Sequence, residues 1–322
     1  MPSPSETVLP RSQRGAHSQQ LLSVLLGDYW FARAEPLPSA ALVDLLGLFD
    51  VSAAGARGAI QRLAQRGFLV GARSGRHTEY AVAPMTREII DSHVRVLFLS
   101  HRIPEWDGTW TVVAYSVPED AAGTRRALRD RLRLLRFGPL YDALWLRPGD
   151  ASEPIAGMLS SMPVELGPEQ VTVFTSARLP RGTDREAIVG AFQLQERAAG
   201  YRRFLDRWAP VARRLESDGP TVVLDAMSDS AERPADEALR IRTSIMADWR
   251  MLRRSDPQLP DELLGADYPL HRAVAVCATV YDALGPAAES AVRRILRPYR
   301  DDLAGHVTHH TFAAATSLLT EG

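Results

Sequence analysis

Between Asp50 and Glu79 the chain has no acidic residue, yet Arg57, Arg62, Arg66, Arg73, Arg76 and His77 all fall there. Over the whole sequence 39 acids nearly balance 38 bases, so this positive field is local and not a property of composition. A polyanion is its natural partner, because neutralising phosphates releases condensed counterions. The chain contains no lysine. Each of these cations is therefore a planar guanidinium, suited to grip a phosphate or the O6/N7 edge of guanine with paired hydrogen bonds. The chemistry on offer here is recognition, not bond-breaking.

Other reactive residue types give less. His306 and His310 stand one helical turn apart, with His309 between them, a spacing that can hold zinc. No glutamate intervenes and no cysteine is near, so the stretch reads as a frayed, solvated helix end. The single cysteine, Cys277, lies in the apolar run Ala273 to Val280 and reads as a small core residue. One thiol allows no internal disulfide, which fits a reducing cytoplasm. There is no Gly-rich phosphate loop and no Gly-x-Ser-x-Gly elbow. The expectation is a non-enzyme with no catalytic residues, no metal ligands and no resident cofactor.

The arginines need a scaffold, and the flanking pattern supplies one. Residues 1–17 are polar and read as a flexible N-terminus without the apolar core of a signal peptide. Leu22, Leu25, Leu26, Tyr29 and Trp30 recur at helical spacing over Gln19 to Arg33. Leu42, Leu45, Leu46 and Phe49 mark a second helix after Ser39. Ser52 is placed to cap a third, whose inner stripe is Ala53, Ala56, Ile60, Leu63 and Ala64. Gly67 ends it, and two strands follow, Phe68 to Ala72 and His77 to Val82, around a Ser74-Gly75 turn. Three helices and a hairpin over 18–83 match the winged helix-turn-helix plan. Ser52, Arg57, Gly58, Gln61 and Arg62 then lie on or near the outer side of the recognition helix. Arg57 and Gln61 are the candidates for base edges, and Arg62 and Arg66 for backbone phosphates. Arg73, Arg76 and His77 would reach phosphates or the minor groove from the wing. The competing reading is a solvated basic hairpin on a protein-interaction domain.

Downstream, 84–104 reads as a linker helix. Residues 105–180 carry strands at Trp110 to Val117, Asp142 to Leu146 and Val171 to Ala177. With the helices near Arg125 to Arg136 and Ala156 to Ser161 they give a βαββαβ-like, ferredoxin-like order. The first of those helices holds six arginines and one aspartate. Leu128, Leu132 and Leu135 face inward, which leaves the arginines as a solvated face or a second anion-binding surface. Residues 181–322 are almost wholly helical, with helices at 185–198, 201–216, 235–254, 271–284 and 287–296. The fold class is α+β. No run approaches the roughly 18 apolar residues of a membrane helix.

Several blocks together resemble the PaaX family of bacterial transcription regulators. They are Leu25-Leu26-Gly27-Asp28-Tyr29-Trp30, then Arg57-x-Ala59-x-x-Arg62-Leu63 and Gly67-Phe68-Leu69. Trp106-Asp107-Gly108-x-Trp110, Val117-Pro118-Glu119 and Phe137-Gly138-Pro139-Leu140 follow. The last are Asp248-Trp249-Arg250 and Asp256-Pro257-Gln258-Leu259-Pro260-x-Glu262-Leu263-Leu264. The resemblance implies a winged helix, a Cas2-like middle domain and a helical C-terminal domain for dimerisation and effector response. It also implies a homodimer on a palindromic double-stranded operator, released by an aryl-CoA thioester such as phenylacetyl-CoA, with Arg57 and Arg62 facing DNA. Gly58 departs from the family pattern, where a larger polar residue is common, and Ser116 stands where an aspartate often precedes Pro-Glu. An aryl-CoA needs an apolar slot beside cations. Trp106, Trp110, Arg136 and Tyr141, with Trp249 and Arg250, are the effector-binding candidates. The rival is an enzyme, either a CoA-dependent catalyst or a metal-dependent nuclease on the Cas2-like domain. The nuclease needs a carboxylate at the end of the first strand, and Val113-Ala114-Tyr115-Ser116-Val117 has none before Glu119.

Overall fold

The computed structural model describes residues 14–30, 33–74, 77–84, 86, 97–98, 105–179, 184–228, 233–254 and 256–317. Gly75-Arg76, the expected wing tip, and most of the expected linker helix lie outside the described residues.

The chain opens on α1 (Arg14–Tyr29), which begins inside the stretch expected to be flexible. It buries Leu22, Val24, Leu25, Leu26 and Tyr29. A short β1 (Leu37–Pro38) leads into α2 (Ser39–Gly47) and α3 (Ala53–Gln65). β2 (Leu69–Ser74) and β3 (His77–Val82) then pair antiparallel, from Leu69 opposite Val82 to Ser74 opposite His77. The sheet order is β1-β3-β2. Gly67 leaves α3 with φ +73°, a left-handed turn that strains any residue with a Cβ.

Next come β4 (Trp110–Tyr115), α4 (Ala122–Leu134), β5 (Gly138–Tyr141), β6 (Leu144–Pro148), α5 (Ser152–Ser160) and β7 (Val171–Ala177). All pairs are antiparallel and the order is β5-β6-β4-β7, the ferredoxin-like arrangement. β5 was not foreseen, because Phe137-Gly138-Pro139 reads as a helix terminator followed by one strand. An edge strand tolerates a proline, since the missing N–H faces no neighbour. Gly138 is needed there because a Cβ would stand 2.8 Å from the Phe192 ring and 2.9 Å from the Ala191 carbonyl. One sheet face buries Val113, Tyr115, Trp145 and Val171 against Leu128, Leu132 and Ile155. The other buries Trp110, Val112 and Leu146 against Ile188, Phe192 and Leu259.

Helices follow: α6 (Asp184–Ala191), α7 (Leu194–Met227), α8 (Pro234–Arg254), α9 (Asp261–Leu264), α10 (Leu270–Ala283), α11 (Gly285–Leu296), α12 (Asp301–Ala304) and α13 (Phe312–Ser317). The helix expected over 185–198 breaks at Gln193, which has φ +51°. α7 is two helical segments: non-helical Gly219 (φ +79°), before Pro220, closes the first near the end expected at Glu216, and the second runs on to Met227. No described helix is long and apolar enough to cross a membrane.

By contact the chain forms two compact units, each discontinuous in sequence. One takes the chain up to Leu99, Leu205–Met251 and everything from Val274 on; the other takes Ser100–Phe204 and Leu252–Ala273. In the first, Trp249 is fully buried and donates its indole N–H to the Leu97 carbonyl at 2.9 Å. Phe98, Tyr281 and Phe312 pack around it in tilted and edge-on pairs.

The arginines of α4 are less solvated than the helical pattern implies. Arg125 donates to the Val117 carbonyl at 2.6 Å, Arg129 to the Tyr115 hydroxyl at 2.7 Å, and Arg131 to the Ser161 carbonyl at 2.8 Å. Arg133 pairs with Asp130 and lies over the Trp145 ring. These four fasten α4 to its own unit. Arg126 is the one that stays almost wholly exposed, at 87 %.

Candidate nucleic-acid interface

α3 forms because Ser52 caps it: the backbone is extended there and the hydroxyl accepts from the Gly55 N–H at 3.2 Å. Ala56, Ala59, Ile60 and Leu63 are buried, which turns Arg57, Gln61 and Arg66 outward as exposed residues. Gly58 and Arg62 are half-buried for a common reason. A Cβ on Gly58 would stand 3.3 Å from the Arg62 guanidinium, so Arg62 lies folded across the space that Gly58 leaves open. In the hairpin, Arg73 and His77 are exposed on β2 and β3. Gly71 lets the Tyr80 ring approach to 3.2 Å of its missing Cβ, closing the sheet behind them. Among the described residues Arg57, Arg66 and Arg73 have no hydrogen-bond or ion-pair partner.

Two of the neighbouring acids are engaged, while Asp50 stays exposed before the Ser52 cap. Glu79 pairs with Arg300 at 3.4 Å, and Asp44 accepts from the Tyr299 hydroxyl at 2.6 Å. Arg240 donates to the Leu48 carbonyl at 2.7 Å, satisfying the end of α2. C-terminal residues thus engage Glu79, Asp44 and the end of α2 while leaving the exposed arginines free of them.

A fully buried network lies behind α1. The Arg242 guanidinium donates to the Tyr281 carbonyl at 3.0 Å and to the His310 carbonyl, and stacks 3.6 Å from the Tyr281 ring and 5.1 Å from that of Tyr29. It faces Asp28, whose carboxyl burial pushes above the ordinary value despite the attraction of Arg242. Burial also raises the Tyr29 hydroxyl to about 12 and the Cys277 thiol well above its usual value. Cys277 is thus a core residue.

The histidine segment corrects the sequence reading. Residues 307–311 are not helical, and only His306 of the three is exposed. His309 pairs with Glu289 at 2.5 Å. Among the described residues no group of three or more His, Cys, Asp or Glu could hold a metal. Burial, then the nearby Arg242 charge, holds the His310 imidazole down at about 4, against 6.5 in water. The unfolded chain would take up that proton near 6.5, so His310 contributes stability at neutral pH that is lost as pH falls from 6.5 towards 4. Asp28 and Asp282, both raised by burial, act in the opposite sense. The wild-type advantage over a His310→Gln variant should therefore shrink in thermal melts across that acid window. A flat difference would mean the folded imidazole titrates normally.

The effector candidates divide between the units. Trp106 packs edge-on against Trp110 at 5.1 Å, and Trp110 is wholly buried in its sheet core. Tyr141 is 70 % exposed, and Arg136, held at φ +64°, donates to the Asp256 carbonyl. Trp249 and half-buried Arg250 belong to the other unit, with the Trp249 indole committed to Leu97. Sequence reasoning missed Arg147, Arg197, Arg253, Asp256 and Tyr268 around Arg136; the Asp256-Pro257-Gln258 block was the signal that could have found them.

Comparison with known proteins now gives the class. The family profile "PaaX-like protein" matches residues 17–84. "PaaX protein central Cas2-like domain" matches 104–188, and "PaaX-like protein C-terminal domain" matches 192–294. The chain belongs to the PaaX family. It is 24% identical over 272 residues to "Transcriptional repressor PaaX" of Escherichia coli (strain K12), covering 83% of this chain and 80% of that one. Its fold is similar to that of "Uncharacterized protein Rv0674 from Mycobacterium tuberculosis", with a TM-score of 0.53 at 22% identity, over 87% of this chain and 100% of the other.

Proposed function

We propose that this protein is a sequence-specific DNA-binding transcriptional repressor. Residues 18–83 form a winged helix-turn-helix in which α3 enters the major groove and the β2–β3 hairpin is the wing. Arg57 and Gln61 read base edges. Ser52, Arg62, Arg66, Arg73, Arg76 and His77 hold the backbone, and Gly58 makes room for Arg62. The protein acts in the cytoplasm as a homodimer on a palindromic operator, and an aryl-CoA thioester such as phenylacetyl-CoA releases it. The observation that carries this reading is the set of exposed arginines, Arg57, Arg66 and Arg73, whose guanidiniums have no partner among the described residues, in a stretch of chain without an acid. Its similarity to a named transcriptional repressor supports the same reading.

The test is a gel-shift titration with the DNA upstream of the protein's own gene, over a range of salt. A discrete complex is expected, with log affinity falling linearly in log salt by about 0.9 for each phosphate neutralised. Aryl-CoA thioesters should dissociate it. If no band outlasts an excess of unrelated duplex at moderate salt, the repressor reading is wrong.

A further inference from the structure

One half-buried cluster in the unit that holds the four-stranded sheet gathers four guanidiniums about one carboxylate. Arg136, at the entrance to β5, faces Asp256 and the guanidiniums of Arg253, Arg147 and Arg197. The Asp256 carboxylate is already engaged on both oxygens: one accepts from Arg253 at 2.8 Å and from the Tyr201 hydroxyl, the other from the Gln258 N–H at 2.7 Å. Arg197 spends one donor on the Phe192 carbonyl at 2.7 Å. Arg147 has no hydrogen-bond or ion-pair partner among the described residues. Strand register sets its neighbour Leu146 opposite Gly138, which brings Arg147 beside the Arg136 end of β5.

A second observation points the same way. The Tyr268 hydroxyl is buried without a hydrogen-bond partner among the described residues, and it faces Asp256, Arg197 and Arg253. Its ring stands edge-on to Tyr201 at 6.0 Å. Buried hydroxyls are almost always satisfied, so an orphan one beside guanidiniums marks room for an acceptor. Three of the five non-glycine residues with positive φ, Arg136, Gln193 and Gln258, adjoin this cluster. Left-handed backbone at such residues is held against strain by its surroundings, commonly where a site must be preorganised.

We infer that Arg136, Arg147 and Arg197, with the Tyr268 hydroxyl, form a binding site for the phosphate group of a small organic phosphate. Four guanidiniums about one engaged carboxylate suit a dianion better than a carboxylate, and planar guanidinium forks match phosphate oxygens. Half-burial favours a small molecule over the phosphates of a duplex, which need an open face. The regulatory role of such a ligand rests on the repressor reading; its binding does not.

The experiment is calorimetric titration of the full chain with inorganic pyrophosphate, with acetate and a short random duplex as separate arms. Saturable pyrophosphate binding is expected, weakened about tenfold in Arg147→Gln and in Tyr268→Phe, each of which removes only groups with no partner in the fold. Circular dichroism checks that both variants fold. The proposal is overturned if pyrophosphate does not saturate, if both folded variants bind as wild type does, if acetate binds equally well, or if the duplex competes with pyrophosphate. Operator binding with no pyrophosphate binding removes this site and leaves the repressor reading intact. Pyrophosphate binding with no operator complex does the reverse.

Discussion

Replacing Arg242 with alanine is expected to destabilise the unit that contains it by about 3–5 kcal/mol, the usual loss when one partner of a buried charge pair is removed. The side chain is completely buried, and its donors hold the Tyr281 and His310 carbonyls. Alanine would leave both carbonyls short of a donor, the Tyr281 ring without its cation, and the buried Asp28 carboxyl with only the weaker attraction of Arg250. Asp28→Asn should cost clearly less, because burial already pushes that carboxyl towards its neutral form. The double variant should be less unstable than the sum of the two singles, since each removes the same interaction. Urea unfolding followed by circular dichroism measures all three. A loss below about 1 kcal/mol for Arg242→Ala would show that the network is solvated or easily replaced.

The second large effect concerns DNA. Arg57→Ala should weaken operator binding by about 1–3 kcal/mol and relax sequence preference at one position, as removal of a bidentate base contact does. Arg62→Ala should weaken operator and random DNA alike and lower the salt slope by about one. Together they should leave only weak, non-specific affinity. Neither side chain belongs to the buried stripe of Ala56, Ala59, Ile60 and Leu63, so the melting temperature should hardly change. Gel shifts at two salt concentrations with specific and random duplexes separate the two roles. Full operator affinity in the double variant would mean that α3 does not enter the groove.

What could be seen in the sequence was whatever depends on neighbours in the chain. The acid-free arginine run, the Ser52 cap and the Gly67 exit are local, and each stands where the pattern put it. β5 escaped notice because glycine and proline signal a stop unless one knows that the strand is an edge and that Phe192 presses on Gly138. The Gly219-Pro220 pair does close a helical segment, but nothing in the local pattern marked the second segment that follows to Met227. Hardest to foresee were the long-range polar pairs. Asp28 with Arg242, Asp44 with Tyr299 and Glu79 with Arg300 join residues about two hundred positions apart. A charged residue on a helix reads as surface until its partner is known. The arginines of α4 and the histidines after α12 were misjudged for that reason, since carbonyls and a carboxylate far along the chain claim them.

The open space at Gly58 has a genetic consequence. Any side chain placed there must displace the Arg62 guanidinium by a few tenths of an ångström or more. A substitution at 58 is thus also a change at 62, and the two positions cannot drift independently. New operator preferences should arise through paired replacements, with single steps passing through weakened intermediates. In a library randomised at both positions, functional variants should show epistasis, since the size of the residue at 58 decides which path the side chain at 62 can take.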